Sequence, residues 1–440
     1  NDLVGMMAPV TKYSTMATSS KSLLRTLRRA VKIAATPPMG PVYVCLPMDV
    51  LDELNDEPVF PTSIPSTRVS PSAELIRQSA EWLLAAEKPM IFAGDGVAYS
   101  QAHDELTRVA ELLGAEVYGV EFGDVLMDNM HPLYQGTTGH MFGSYSKTIT
   151  SRGDANLDDI YAPGAKVIHY DLNAYEIAKN HRVDLGVVSD PKLSLAELAE
   201  TIEALRTPGQ AAAAQARIDA IGSAKKARLD QEKQLDEAAA GKLPLRMAQF
   251  SSVLSERLNI DNTIIFDEAL TSSPAVSRYI PPKLAGNYFV TRGGSLGIGF
   301  PGAIGAKMAN PGKTVIGFSG DGGSMYTIQT LWSAVRHNTG AKFVVCNNGS
   351  YKLLQLNIDQ YWKEREIGKH DYPLPFDLSY PAIRFDLLAQ SMGVAAVRVE
   401  KEEEIGPAIE RMLADDKPFL IDLVLEGDHR SEWVKINCSH

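Results

Sequence analysis

Helices and strands alternate through most of this chain, and that alternation is the tightest constraint on its fold. Apolar periodicity predicts a helix over 73–86, a strand over 89–93, a helix over 102–113 and strands over 115–120 and 166–170. The pattern resumes after residue 245. Helices over 247–258, 299–310, 326–338, 385–393 and 403–414 interleave with strands over 263–267, 314–318, 341–346, 395–399 and 418–425. Strands joined by helical crossovers pair in parallel, so the class is α/β with doubly wound parallel sheets. At 440 residues the chain exceeds what one hydrophobic core serves. Three such domains are expected, the first present only as its C-terminal part. Residues 1–58 offer one helix (22–34) and one strand (41–47), too little for a domain. A linker rich in Pro, Ser and Thr spans 59–72. The central α/β domain covers 73–206, a solvated helical linker 207–244, and a complete α/β domain 245–440. Between 141 and 163 another βα unit is expected, yet no apolar run there offers a strand, which points to a short segment missing from the sequence.

Composition narrows the function classes. The formal net charge is −11, against broad electrostatic attraction to nucleic acid or to an anionic membrane surface. No apolar stretch is long enough for a membrane-spanning helix. Cys45, Cys346 and Cys438 are far apart and match no zinc spacing, which favours a reducing compartment, the cytoplasm.

The chemistry lies in two polar clusters at predicted strand ends. The strand over 314–318 runs into Ser319-Gly320-Asp321-Gly322-Gly323, and the strand over 341–346 runs into Asn347-Asn348-Gly349-Ser350. Open α/β sheets bind ligands at the carboxyl ends of their strands. Between Gly322 and Asn347 lie 24 residues, filled by one helix and one strand. That helix should bury Ile328, Leu331, Trp332 and Val335. A carboxylate, a side-chain amide and a backbone carbonyl form an all-oxygen set, suited to Mg²⁺ or Ca²⁺ and not to zinc. Gly320, Gly322 and Gly323 let backbone N–H groups approach a diphosphate at a helix N-terminus. A second copy, Gly94-Asp95-Gly96, also follows a strand but has no Asn pair downstream, so it reads as a structural turn.

This spacing resembles the thiamine diphosphate motif. Gly293-Gly294-Ser295-Leu296-Gly297 with Pro301-Gly302-Ala303 resembles the stretch before that motif in the acetolactate synthase and 2-oxoacid decarboxylase superfamily. Gly40-Pro41-Val42-Tyr43-Val44, with Pro47 and Asp49, resembles the end of that superfamily's pyrimidine-binding domain, and 245–440 its diphosphate-binding domain. Asn348-Gly349-Ser350-Tyr351 and Phe385-Asp386-Leu387-Leu388-Ala389 are similar to benzoylformate decarboxylase. The resemblance implies thiamine diphosphate and Mg²⁺ as cofactors, the metal held by Asp321, Asn348 and the Ser350 carbonyl. It implies diphosphate contacts from Gly320, Gly322, Gly323 and Tyr351, helped by Thr271 and Ser272. It places Gly294 against the aminopyrimidine and Leu296 beneath the two rings, with plain core packing as the alternative for Leu296.

The implied reaction is non-oxidative decarboxylation of a 2-oxo acid, carboligation to an aldehyde, or both. The alternatives are an acetolactate synthase-like ligase, a lyase acting on 2-hydroxyacyl thioesters, or a non-catalytic cofactor-binding protein. A flavin in the central domain would indicate the synthase. Homodimers or homotetramers with active sites between subunits are implied too. The superfamily's activating Glu lies in a half-domain without counterpart in 1–58, so the catalytic residue is unassigned. Roughly a hundred residues are expected before Asn1, and the chain as written is expected to bind cofactor without completing the cycle. Leu353, Leu354 and Asn357 are candidates for the substrate pocket, with helix packing the alternative for the two leucines. Leu353 is bulkier, and Asn357 more polar, than an aromatic substrate invites. His131 and His140 read as loop or surface histidines, and the charged runs at 363–366 and 402–404 as solvated faces.

Overall fold

The computed structural model describes residues 2–120, 123–137, 161, 164–292 and 294–426. The βα unit expected over 141–163 falls outside them apart from Tyr161, as do Gly139, His140, Gly293 and Cys438.

Near the N-terminus β1 (Tyr13–Met16) and β2 (Val42–Cys45) pair in parallel, with Tyr13 opposite Val42. The helix Ser20–Ala35 connects them. β1 reads Tyr-Ser-Thr-Met, without the apolar run that would announce a strand. No helix or strand is formed over 53–72, a stretch that includes the expected linker 59–72.

The central region carries β3 (Met90–Ala93), β4 (Glu116–Gly119) and β5 (Tyr134–Thr137) in one parallel sheet, and β6 (Ile168–Asp171) with β7 (Leu185–Val188) in another. Helices Ala73–Ala85, His103–Leu113 and Pro191–Leu205 bury Ile76, Val109, Leu113, Leu198 and Ile202 together. Asp190 caps the last of them by accepting from Leu193 N.

The helical segment after it is one 30-residue helix, Pro208–Glu237, started by a capping box at Thr207 and Gln210. Its polar residues are not all solvated. Lys225 is buried and donates from Nζ to the carbonyls of Asn129, His131 and Tyr134 at 2.6, 2.8 and 2.6 Å. Asp236 is buried against Arg278, 2.8 Å away, so the helix also grips the following region. Replacing Lys225 with Met strands three carbonyls at once. The expected cost is about 2–4 kcal/mol, read as a shift in the urea midpoint; a shift worth under about 0.5 kcal/mol, the size of an ordinary surface change, would show that the ammonium bears no weight.

The largest sheet holds β8 (Thr263–Glu268), β9 (Tyr288–Val290), β10 (Thr314–Gly320), β11 (Lys342–Asn347), β12 (Ala395–Val399) and β13 (Phe419–Val424). Their order is β12-β13-β11-β10-β8-β9, and all pairings are parallel. Alternate residues serve opposite faces. Ile265, Ile316, Phe318, Val344 and Ile421 pack under helices Met247–Ser255 and Glu402–Leu413. Ile264, Val315, Phe343, Val345 and Leu420 pack under Gly299–Ala309, Thr330–Arg336 and Phe385–Ser391. From β8 the chain steps outward to β9, then returns to β10 on the other side of β8. The crevice at the ends of β8 and β10 is therefore the topological switch point, where such sheets bind ligands.

Two expectations fail here. Trp332 is 57% exposed and Val335 38% exposed. The helix starts only at Thr330, and its buried face is the i, i+3 pair Leu331 and Ala334. The run 363–366 is exposed as expected, but 402–404 is not simply solvated. Glu402 accepts from Gly241 N at 2.5 Å and Gln249 Nε2 at 2.9 Å, and Glu404 caps its own helix through Lys401 N at 3.1 Å.

Candidate active site

β10 and β11 lie side by side with Gly320 opposite Cys346, so the residues following each strand meet. Asp321 opens a short helical turn, Asp321–Ser324, and its buried carboxylate joins the two loops. Oδ1 accepts from Gly322 N at 2.8 Å, and Oδ2 from Gly349 N at 2.6 Å. Burial is the largest influence on this carboxyl and raises its pKa; the backbone N–H groups of 322 and 348–350 pull it back down. Each oxygen keeps a lone pair for another partner. Asn348 Oδ1 accepts from Ser350 N at 3.0 Å and Ser350 Oγ at 3.1 Å, which fixes the loop. The Ser350 carbonyl accepts from Lys352 N at 2.9 Å and retains its second lone pair. Gly349 adopts φ +66°, a left-handed turn that lets the loop fold back on Asp321.

The other predicted contact residues sit after β8, between β9 and the next helix, and on the loop and helix that follow β11. Tyr351 lays its ring on Gly322, where an added Cβ would come within 2.3 Å of Tyr351 Cε1. Thr271 and Ser272 sit in a 3₁₀ turn, Leu270–Ser272, directly after β8, with Leu270 held at φ +50°. Gly294, at φ +70°, and Gly320 both face open space, since an added Cβ would meet nothing within 4 Å at either. Leu296 is 39% exposed, so core packing does not account for it. Leu353, Leu354 and Asn357 lie on the helix Lys352–Glu364 that leaves the loop, with Leu354 exposed and the other two half-buried.

Other signals resolve differently. Asp95, in the second Gly-Asp-Gly, ion-pairs with Arg292, which Asp124 also holds at 2.7 Å; the turn ties the central region to the stretch before Gly294. His131 contacts Glu111 at 3.2 Å and accepts from Leu133 N, as a surface loop histidine does. Local pattern gave no sign that the first Asn of the pair points away: Asn347 Nδ2 donates to buried Asp422 at 2.9 Å, and Arg398 neutralises that carboxylate at 2.7 Å. Glu268 at the end of β8 was missed as well.

Comparison with known proteins matches two family models. Residues 271–423 match the thiamine pyrophosphate enzyme C-terminal TPP binding domain, and 76–198 the central domain of the same enzymes. A probable acetolactate synthase large subunit from Methanococcus aeolicus is 28% identical over 97% of this chain and 74% of that protein. Benzoylformate decarboxylase from Pseudomonas aeruginosa is 26% identical over 94% of this chain and 76% of that protein. Among solved structures, a thiamine diphosphate-dependent 4-hydroxybenzoylformate decarboxylase from Rhodococcus jostii shares the fold, with a TM-score of 0.77 at 24% identity over 97% of this chain and 78% of its own.

Proposed function

We propose a reaction from one premise: this chain belongs to the thiamine diphosphate-dependent superfamily that contains acetolactate synthase and benzoylformate decarboxylase. The proposed reaction is Mg²⁺-dependent, non-oxidative decarboxylation of a 2-oxo acid, with carboligation to an aldehyde as its companion activity. The observation that carries the reading is the meeting of Asp321, Asn348 and Ser350 at the ends of adjacent parallel strands, beside Gly322 and Gly323.

That site fits the cofactor. Its donors are all hard oxygens, a set that would suit Mg²⁺ beside a diphosphate. Gly320 and Gly294 each present bare backbone to open space. Asp321, Asn348 and the Ser350 carbonyl would hold the metal, Gly320, Gly322, Gly323, Tyr351, Thr271 and Ser272 would line the diphosphate, and Gly294 and Leu296 would seat the rings. When bound, thiamine diphosphate would supply the carbon nucleophile and the electron sink that decarboxylation of a 2-oxo acid requires. The protein's share is to anchor, orient and exclude water. Leu353, Leu354 and Asn357 are the proposed substrate-facing residues; Leu353 narrows the space and Asn357 adds polarity, which favours a short 2-oxo acid over an aromatic one. Tyr326 and Trp332, both exposed on the segment that follows the Gly-Asp-Gly turn, support a second subunit closing the site in a homodimer or homotetramer. A cytoplasmic location accords with the free thiols of Cys45 and Cys346, and no described helix is long and apolar enough to cross a membrane.

The test is turnover by the full-length protein on a panel of aliphatic and aromatic 2-oxo acids with thiamine diphosphate and Mg²⁺, following carbon dioxide release and aldehyde or acyloin products. Short 2-oxo acids should be consumed fastest, and chelation should stop the reaction. Cofactor binding without consumption of any 2-oxo acid would instead favour a lyase of 2-hydroxyacyl thioesters or a non-catalytic binder.

A further inference from the structure

We infer that Glu268 is a positioning residue that ties the two glycine turns of the cofactor seat to each other. The inference rests on the thiamine diphosphate reading and assigns the fixed spacing between the ring side and the diphosphate side to one side chain. Glu268 ends β8 at the switch point, opposite Ser319 of β10. It is 1% exposed. Its neighbour Asp267 points to the other face of the sheet, toward Tyr288 and Ser273, so only Glu268 reaches the crevice.

The carboxylate accepts from Gly297 N through Oε1 and from Gly299 N through Oε2, the latter at 2.5 Å. Those two amides bracket the turn that follows Leu296 and begin the helix Gly299–Ala309, whose N-terminal end favours a negative charge. The same carboxylate reaches the diphosphate side. The Ser319 hydroxyl hydrogen-bonds to it. At Gly323 an added Cβ would sit 3.1 Å from Glu268 Oε1, and at Gly299 another would sit 2.8 Å from Oε2. Glycine at both positions is what lets the carboxylate sit between the turns.

Among the described residues no cation pairs with Glu268. Burial is the largest influence on it and raises its carboxyl, against the pull of the two amides and the hydroxyl. A buried charge without a cation is costly, and a fold with no use for it would gain from losing it. Gly297 is also gripped from its other side, since Thr327 Oγ1 donates to the Gly297 carbonyl at 2.6 Å. Gly297 itself lies at φ +85°. Glu268 and Thr327 thus hold the N–H and the carbonyl of one residue, on either side of its Cα.

The test is calorimetric titration of thiamine diphosphate with Mg²⁺ into the wild-type protein, Glu268→Gln, Thr327→Val and the double variant, with the melting midpoint of each apoprotein recorded in parallel. Gln keeps the shape but turns a donor toward an amide N–H. The expected result is a dissociation constant raised about 10- to 100-fold in Glu268→Gln, the loss typical of a charged hydrogen bond. Its apoprotein should melt within about 3 °C of wild type, because the cost of the buried charge is relieved at the same time. Thr327→Val should weaken binding in the same direction, and the double variant should lose less than the sum. Unchanged affinity in Glu268→Gln would overturn the inference, as would strict additivity, or a loss of affinity that only tracks a collapsed melting point. Absence of binding by the wild type would instead overturn the cofactor reading.

Discussion

Replacing Asp321 with Ala is expected to abolish metal-dependent retention of thiamine diphosphate. Two effects act together. The variant removes the one formal negative charge of the proposed donor set, and it frees Gly322 N in its own turn and Gly349 N, whose hydrogen bond holds the second strand-end loop against it. Losing a group that merely orients a metal ligand costs about 10- to 100-fold in affinity, so losing the ligand itself should cost more than about 100-fold. Asp321→Asn separates the two effects: it keeps the size and one acceptor but not the charge. The Asn apoprotein should melt close to wild type, since burial already disfavours the carboxylate. Cofactor affinity measured with Mg²⁺ and with chelator should then coincide for both variants. A Mg²⁺ response that survives in Asp321→Ala would place the metal elsewhere.

Leu296→Ala is expected to separate turnover from binding. Leu296 is a large apolar side chain left exposed at the rim of the crevice, between Gly294 at φ +70° and Gly297 at φ +85°. If it supports the cofactor rings, truncation leaves the diphosphate anchored while the reacting carbon loses its fixed position. Misplacement by about 1 Å costs on the order of 100-fold in rate. The lost apolar contact is worth about 1 kcal/mol of affinity, roughly a fivefold change. The split is read by comparing kcat at saturating cofactor with the cofactor dissociation constant. A kcat that falls only in proportion to cofactor occupancy would mean that Leu296 is part of the binding surface and nothing more.

Much of this site was legible in the sequence because its polar residues stand at the ends of long apolar strands. The runs from Val315 to Phe318 and from Phe343 to Cys346 are fully buried, so the Gly-Asp-Gly and Asn-Asn clusters beside them stand out. Short strands were not legible. β1, β5 and β9 have 4, 4 and 3 residues and include Ser-Thr, Gln-Gly or a bare aromatic pair, so pairing with a neighbour rather than local pattern makes them strands. Trp332 misled for the opposite reason. Helical spacing placed it inside, but the helix starts late and presents the indole outward. Asn347 and Glu268 act through partners 75 and about 30 residues away, a distance at which no periodicity speaks. The second Gly-Asp-Gly was set apart in the sequence by the missing Asn pair, and the fold adds that Asp95 ion-pairs with Arg292.

The central claim is that a divalent cation joins Asp321, Asn348 and Ser350 to the diphosphate of the cofactor. Substituting Mn²⁺ for Mg²⁺ makes this directly visible, because electron–nuclear double resonance reports phosphorus nuclei bonded through oxygen to the metal. The account predicts protein-bound Mn²⁺ with phosphorus couplings that appear on adding thiamine diphosphate and vanish in Asp321→Ala. Mn²⁺ that stays in solution, or that binds the protein without any phosphorus coupling, would contradict it.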